Sequence, residues 1–156
     1  MISYQFKTQV MFKRLLVFLV LSLVIIGCKH QKTVNGMDSS VSIQESACEG
    51  TCPVYTMTIH SSGKANYNGV VHVNTIGDQE YTFKLEAVNA LFEMLSEIEF
   101  SSLDELYDSS VMDLPETVIT YKEHRIVIKD RRIIPDQLKD LLEELQKLSR
   151  STGFIN

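Results

Sequence analysis

Apolar and polar residues alternate in the first regularly patterned stretch of the chain, residues 53–60. Tyr55, Met57 and Ile59 occupy every second position, which predicts a strand with one buried face. A second alternating run follows after Gly63, and a third covers residues 79–84. The inward positions of these two runs are Ala65, Tyr67, Val71, Val73, Tyr81 and Phe83. The pattern therefore predicts three consecutive strands.

The short loop at Gly63 predicts how the first two strands pair. A three-residue loop with Gly63 in the left-handed conformation sets a register in which opposite residues share a face. The predicted pairs are Ile59 with Ala65, Met57 with Tyr67, and Tyr55 with Gly69. In this register Gly69 leaves room for the Tyr55 ring, and His72 comes to lie opposite Cys52.

Two later stretches have the apolar spacing of amphipathic helices, i, i+3, i+4, i+7 and i+10. Their apolar positions are Val88, Leu91, Phe92, Leu95 and Ile98 in one stretch, and Leu138, Leu141, Leu142, Leu145 and Leu148 in the other. Pro135 and Asp136 favour a helix start just before the second stripe, because proline fits the first turn and an acid complements the helix dipole. Each helix is predicted to bury a single stripe.

Between the helices, a further alternation predicts a hairpin that turns at Glu123-His124. Its inward residues are Thr117, Ile119, Tyr121, Ile126 and Ile128. The predicted order is three strands, a helix, two strands and a helix. Helices and strands of this kind bury their apolar faces on each other. We therefore expect an α+β fold, a two-layer sandwich whose mainly antiparallel five-stranded sheet carries both helices on one face.

The N-terminal segment has the pattern of a signal peptide. An uncharged apolar run, Leu15 to Ile26, follows the basic pair Lys13-Arg14. Its dozen residues are too few for a spanning helix, which needs about 20. Translation could start at Met1 or at Met11, because a basic region precedes the apolar run in either case.

The apolar run ends in Ile25-Ile26-Gly27-Cys28, which resembles the lipobox of bacterial lipoproteins. This resemblance implies that residues 1–27 are removed and that Cys28 carries the lipid. Two or three acyl chains hold a protein on a membrane, whereas one binds only marginally. An ordinary secreted protein, or one retained by its signal segment, is the alternative.

Residues 28–46 are polar and lack periodicity, which is typical of a flexible tether, so the globular α+β domain is expected to span residues 47–156. The residue after the lipidated cysteine is Lys29, not Asp. By analogy with lipoprotein sorting in enteric bacteria, we expect a lipid anchor in the outer membrane, with the domain facing the periplasm.

Cys48 and Cys52 remain as an even pair once Cys28 is lipidated. Secretion places them in an oxidising compartment, so we expect a disulfide that staples the start of the first strand. Two alternatives stay open. The pair could cycle as redox-active thiols, or Cys48, Cys52 and His72 could bind copper, because soft thiolates and imidazole suit that metal. The prediction from the sequence is a structural disulfide, with no metal and no cofactor.

The segment Cys48-Glu49-Gly50-Thr51-Cys52-Pro53-Val54-Tyr55 contains a Cys-x-Gly-x-Cys-Pro-x-Tyr signature. Together with Gly63, Tyr67, Gly69, Tyr107 and Asp113-Leu114-Pro115, it resembles an uncharacterised bacterial family, the domain of unknown function 6438, whose members are often lipoproteins. The resemblance implies a compact envelope domain and supplies no activity. The charged segment Lys122-Glu123-His124-Arg125 departs from the turn residues expected there.

Charge and missing motifs narrow the possible functions. The chain has a net charge of −5, and residues 1–27 contain three basic and no acidic residues, so the remainder carries −8. That charge disfavours nucleic acid as a partner. No nucleophile elbow, zinc-helix motif, phosphate loop or dinucleotide fingerprint occurs, so we predict that the protein is not an enzyme. We expect a binding or structural module with a membrane anchor and an envelope protein partner. The alternative is a thiol-redox or copper-handling protein.

Overall fold

A computed structural model describes residues 39–109 and 114–155. The signal segment, Cys28 and most of the predicted tether therefore lie outside the described residues. In chain order the elements are β1 (Ser40–Glu45), β2 (Val54–His60), β3 (Lys64–Val71), β4 (Gly77–Thr82), α1 (Leu85–Glu97), a 3-10 helix (Phe100–Ser102), β5 (Leu106–Tyr107), β6 (Thr117–Tyr121), β7 (His124–Ile128) and α2 (Asp136–Ser151).

The strands form one seven-stranded sheet in the order β4-β3-β2-β1-β6-β7-β5. All neighbours are antiparallel except β5 and β7, which pair in parallel. The α+β class with two helices is confirmed. The prediction of five strands is wrong, because β1 and β5 were not predicted and the sheet is mixed.

Strand β1 corrects the predicted boundary between tether and domain. Residues 40–45, which their polar composition assigned to the tether, form the strand that joins the β2–β4 half of the sheet to the β6–β7 half. Val41 and Ile43 are fully buried in it. Only these two apolar side chains mark the strand, since its other residues are Ser, Gln and Glu. The domain therefore begins before residue 47.

The core lies between one face of the sheet and the two helices. It combines the inward strand residues with the helix stripes, and all five leucines predicted for α2 are buried. In α1 three of the five predicted positions, Val88, Leu91 and Leu95, are buried, while Phe92 and Ile98 pack partly buried against the core. Pro135 stands immediately before α2, and Asp136 opens its first turn.

The predicted register of the first hairpin is confirmed over most of its length. Ile59 pairs with Ala65, Met57 with Tyr67, and Tyr55 with Gly69, and Gly63 has a φ of 91°. A shift in register then follows, so that Val54 pairs with Val71. Val71 is 39% exposed, although its position in the alternation predicted it inside.

The second predicted hairpin turns one residue earlier than its charged tip suggested. Tyr121 pairs with His124, so Lys122 and Glu123 form a two-residue turn, with Lys122 at a φ of 56°. Of the five predicted inward residues, Thr117, Ile119, Ile126 and Ile128 are buried, whereas Tyr121 is only partly buried against the core.

The sheet has two ends that differ in composition. The disulfide end consists of residues 46–53, 70–76, 114–116, 130–133 and 152–155, which adjoin the strand ends near Glu45, Tyr55 and Ile128. The Ser40 end consists of residues 39–40, 61–64, 82–86, 97–105 and 121–124. The chain therefore enters the sheet at the end opposite to the two cysteines.

Candidate functional site

The loop between β1 and β2 carries the two cysteines and is fixed at its base. Cys48 and Cys52 form a disulfide, with a Cα–Cα distance of 5.7 Å. The Ser46 amide donates to the Glu116 carbonyl at 2.9 Å, and the Glu116 amide donates to the Ser46 hydroxyl at 2.7 Å. The tip between the cysteines, residues 49–51, is exposed. A short ring with a solvent-facing tip therefore stands on the centre of the sheet.

His72 does not occupy the predicted position opposite Cys52. The pairing of β2 with β3 ends at Val54 and Val71, after the register shift, so the ladder never reaches Cys52. His72 is exposed, with a φ of 56°. Among the described residues there is no group of three or more His, Cys, Asp or Glu side chains that could hold a metal ion. Copper binding by Cys48, Cys52 and His72 gains no geometric support.

Two tyrosines form the floor beneath the disulfide end. Tyr55 and Tyr67 are 3% and 2% exposed, and their ring centroids lie 6.0 Å apart. The Tyr67 hydroxyl donates to the Thr75 carbonyl at 3.1 Å, and the Phe154 carbonyl lies 3.4 Å away. Asn74 and Thr75 in turn donate their amides to Phe154. Tyr67 thus connects the β3–β4 loop to the segment after α2.

Gly69 is required by the Tyr67 ring and the neighbouring loop, not by Tyr55 as its cross-strand position suggested. A Cβ at this position would stand 2.1 Å from the Thr75 carbonyl oxygen and 2.5 Å from the Tyr67 hydroxyl. Contacts that short do not occur between real atoms, so any side chain would displace backbone. By contrast, a Cβ at Gly50 would meet only Cys48 Sγ, at 3.7 Å.

A buried carboxylate lies directly behind the disulfide loop. Glu45 is 8% exposed and faces the helix side of β1. Its oxygens accept hydrogen bonds from Thr117 Oγ1 at 2.7 Å, Gln146 Nε2 at 2.6 Å and Arg131 Nη2 at 3.3 and 3.4 Å. Arg131 also donates to Thr117 Oγ1 at 3.0 Å. The Glu45 carboxylate therefore links β1, β6 and α2. Because hydrogen-bond donors surround it, a substrate would have little access to this carboxylate.

The Tyr55 hydroxyl belongs to the same polar region. Burial raises the pKa of Tyr55 to about 12, and the nearby Glu45 charge adds to the shift, while a hydrogen bond with Ser149 and the Arg150 charge oppose it. Burial likewise raises the pKa of Tyr67. Both phenols are therefore neutral at ordinary pH, and neither has the lowered pKa of an activated nucleophile.

A second buried carboxylate, that of Asp130, lies in the segment that follows β7. Asp130 is 3% exposed and accepts hydrogen bonds from the Arg132 side chain at 2.8 and 2.7 Å, from the Arg132 amide at 2.9 Å, and from the Ser109 hydroxyl. The Arg132 and Ser109 hydrogen bonds hold the pKa of Asp130 well below its usual range. This cluster holds the segment after β5 against the chain that leads to α2.

The remaining described histidines do not assemble a catalytic group. His124 is half-buried, since its Nε2 lies 3.1 Å from the Leu103 carbonyl and its ring contacts the edge of Phe100. His60 lies on the sheet face opposite the helices, with its Nε2 3.1 Å from Asn66 Nδ2. It lines an open depression of about 510 Å³ together with Lys64, Asn66, Glu80 and Thr82.

Sequence reasoning found the cysteine pair and both tyrosines, but it missed the Glu45 cluster. Its members, Glu45, Thr117, Arg131 and Gln146, come from four separate segments, so no local motif marks them. One signal was available, because Glu45 continues the Val41, Ile43 alternation on the buried face of the strand.

Comparison with known proteins adds a family and no activity. Residues 39–149 match the family model described as a domain of unknown function, DUF6438. This match starts at β1 and ends within the last turn of α2, so it covers nearly the whole sheet and both helices. No curated protein matches the chain. In the part of the chain that the structure describes, no helix is long and apolar enough to span a bilayer.

Proposed function

The chain belongs to the family of the domain of unknown function DUF6438, and we propose that it is a lipid-anchored cell-envelope protein with a non-catalytic binding or structural role. Its anchor is the lipidated Cys28, and its domain faces the periplasm from the outer membrane. The DUF6438 family brings no activity with it, so the proposal depends on the chemistry of this chain.

The Cys48–Cys52 disulfide is the observation that carries the proposal. Disulfides persist in oxidising compartments and are rare in the cytosol. The bond joins a loop that stands on the two central strands β1 and β2. It agrees with the basic pair, apolar run and cysteine box at residues 13–28, which independently indicate export and lipidation.

A non-catalytic role is supported by the state of the buried polar groups. Glu45 and Asp130 are each held by several hydrogen bonds, and the pKa values of Tyr55 and Tyr67 are raised. Catalytic groups are instead poised for proton transfer or nucleophilic attack in an accessible cleft. These groups are suited to fixing the loops of the disulfide end.

Replacement of Cys28 tests the anchor. The full chain should fractionate with membranes and incorporate labelled fatty acid, whereas Cys28→Ser should lose the label and become soluble, because the lipid supplies the membrane affinity. The matched control replaces Cys48 and Cys52 with Ser and should keep both the label and the membrane location. A Cys28→Ser protein that still sediments with membranes would refute the anchor.

Thiol titration separates the proposed role from the redox alternative. A structural disulfide should give no free thiols in the native protein at moderate potentials, and both thiols only after strong reduction. A pair that equilibrates at a moderate potential, or stoichiometric copper on the reduced protein, would favour redox or copper handling instead.

A further inference from the structure

The two edges of the sheet differ in how well they are protected from further strand pairing. At one edge β5 has only two residues, whereas at the other β4 has six. Natural edge strands are commonly blunted by shortness, a proline, a bulge or an inward-pointing charge. Strand β4 contains no proline, its register with β3 has no shift, and its inward residues are Gly77, Gln79 and Tyr81. It is therefore the edge at which the sheet can be extended.

The outward backbone groups of β4 are available to a further strand. The Phe83 amide donates to the Gly63 carbonyl at 2.9 Å. Along an antiparallel strand, residues bonded to one neighbour alternate with residues directed the other way. The amides and carbonyls of Asp78, Glu80 and Thr82 therefore point away from β3. Within residues 39–109 and 114–155, no other segment forms a backbone hydrogen bond with these groups. The edge thus presents a line of donors and acceptors that a strand of suitable register would satisfy.

The core is incompletely covered along β4. The strands β1, β2, β3, β6 and β7 all contain buried inward residues, whereas no residue of β4 is buried. Tyr81 is half-buried, and its ring centroid lies 4.7 Å from that of Phe83 and 6.1 Å from that of Phe154. A strand added at this edge would place its own inward side chains against Tyr81. Strand addition would therefore bury apolar surface as well as pair backbone groups.

The charges along this segment are arranged for pairing with a second copy. Asp78, Glu80 and Lys84 are exposed, and none of them forms an ion pair in the part of the chain that the structure describes. Asp78 accepts a hydrogen bond from Asn68 Nδ2 at 2.6 Å. Lys84 has an extended backbone, with φ −65° and ψ 135°, so the strand geometry continues up to it. Because acid and base lie at opposite ends of the segment, an antiparallel copy brings opposite charges together.

We propose that two copies of this chain pair through β4, antiparallel about a two-fold axis at Tyr81, and so join their sheets into one. In this register Tyr81 lies opposite the second copy's Tyr81. Glu80 lies opposite Thr82 of the second copy, and Asp78 lies opposite its Lys84. The contact is isologous and uses one edge of each copy, so it closes at a dimer. This pairing goes beyond the proposed function and does not depend on the lipid anchor.

Other self-pairings of the same edge are less favourable. An axis at Gln79 or at Glu80 sets acidic residues directly opposite each other, which destabilises a cross-strand pair. An axis at Thr82 keeps opposite charges together, but it shortens the overlap and loses backbone hydrogen bonds. The axis at Tyr81 combines opposite charges, an aromatic pair on the inner face and the longer overlap. The sequence of the edge therefore favours one register.

Cysteine substitution in the full chain locates the axis in intact cells treated with a mild oxidant. At the axis, the two residues at position 81 form a non-hydrogen-bonded pair with Cα atoms about 4.5 Å apart, which is within disulfide range. Tyr81→Cys should therefore give a reducible dimer on non-reducing gels. Glu80→Cys and Thr82→Cys are matched controls. Each lies about 8–9 Å from its own counterpart, beyond disulfide range, so each should form the dimer at least tenfold more slowly.

Charge exchange checks the opposition of Asp78 and Lys84. In the unsubstituted chain, a zero-length carbodiimide crosslinker should join these two residues. They stand roughly 20 Å apart along one extended segment, so the link forms only between copies. In the Tyr81→Cys chain, Asp78→Lys or Lys84→Asp should each slow dimer formation at least fivefold, and the two together should restore it. All variants should keep the circular dichroism spectrum of the parent chain.

The β4 contact stands if position 81 gives the fastest dimer and the combined charge exchange restores it. The unsubstituted chain serves as the background, because its disulfide already joins Cys48 and Cys52. Faster dimer formation from position 80 or 82, an adduct of position 81 with a different protein, or no dimer at all would each overturn the pairing. A combined exchange that stays as slow as the single ones would overturn it as well.

Discussion

The two ends of the sheet enclose the same core but treat their polar groups in opposite ways. At the disulfide end, Glu45 and Asp130 are buried under hydrogen bonds, and aliphatic side chains face solvent. At the Ser40 end, acids such as Glu97, Glu99 and Asp104 are exposed on the surface. This difference indicates that the disulfide end has a fixed shape and little net charge. The Ser40 end, in contrast, only closes the fold and connects to the tether.

The largest expected effect of a single substitution is at Glu45. Glu45→Ala removes the shared acceptor of Thr117, Gln146 and Arg131, so the free energy of unfolding should fall by about 3 kcal/mol in urea denaturation. The control at the other end is Glu105→Ala. Its carboxylate lies 3.9 Å from His124 and is 78% exposed, so its removal should cost less than about 1 kcal/mol. Similar losses at both ends would refute the contrast.

Gly69 should be the next most sensitive position. A Cβ there would press on the Thr75 carbonyl, so Gly69→Ala should destabilise the domain by about 2–3 kcal/mol. Gly50→Ala, in the exposed tip of the same end, should change stability by less than about 0.5 kcal/mol. Thermal or urea denaturation of the two variants makes the comparison. A tolerated alanine at position 69 would mean that the floor of the disulfide end is not closely packed.

Removal of the disulfide should have a somewhat smaller effect that is confined to one end. Replacing Cys48 and Cys52 with Ser should cost about 2 kcal/mol, the loop-closure value for a five-residue ring. Amide hydrogen exchange should become faster in residues 46–53 and remain unchanged in residues 61–63 at the Ser40 end. Faster exchange across both ends would show that the bond stabilises the whole domain and not its own loop.

High pH should expose the contribution of Tyr55. The folded protein keeps this proton more tightly than the unfolded chain, because burial and Glu45 raise the pKa of Tyr55 from 10.0 to about 12. The stabilisation is therefore complete below pH 10 and is lost as the pH rises towards 12, by up to about 2 kcal/mol. Tyr55→Phe should flatten this part of the profile of unfolding free energy against pH. An unchanged slope in the variant would refute the assignment.

Strong local patterns predicted most of the fold. Five leucines at helical spacing identified α2, and Gly63 with the alternation around it gave the register of the first hairpin. Strand β1 was not predicted because it has only two apolar residues. Strand β5 was not predicted because its two residues are too few to show an alternating pattern. Pairing with neighbours on both sides, not its own composition, makes residues 40–45 a strand.

Only those parts of the candidate site that lie within a single segment of the chain could be predicted from the sequence. Cys48 and Cys52 lie four residues apart, so their pairing could be inferred from the sequence and the compartment. The position of His72 could not, because one extra residue before Val71 shifts the register and separates it from Cys52. The Glu45 cluster depends on how β1, β6 and α2 meet, which is a property of the folded chain.

The contrast between the two ends is the central claim, and urea denaturation of variants at two further acids measures it directly. Asp130→Ala removes a buried carboxylate at the disulfide end, and Asp104→Ala removes an exposed one at the Ser40 end. The account predicts a clear loss of unfolding free energy for Asp130→Ala and almost none for Asp104→Ala, because Asp130 accepts hydrogen bonds from Arg132 and Ser109. Equal losses, or a larger loss for Asp104→Ala, would contradict it.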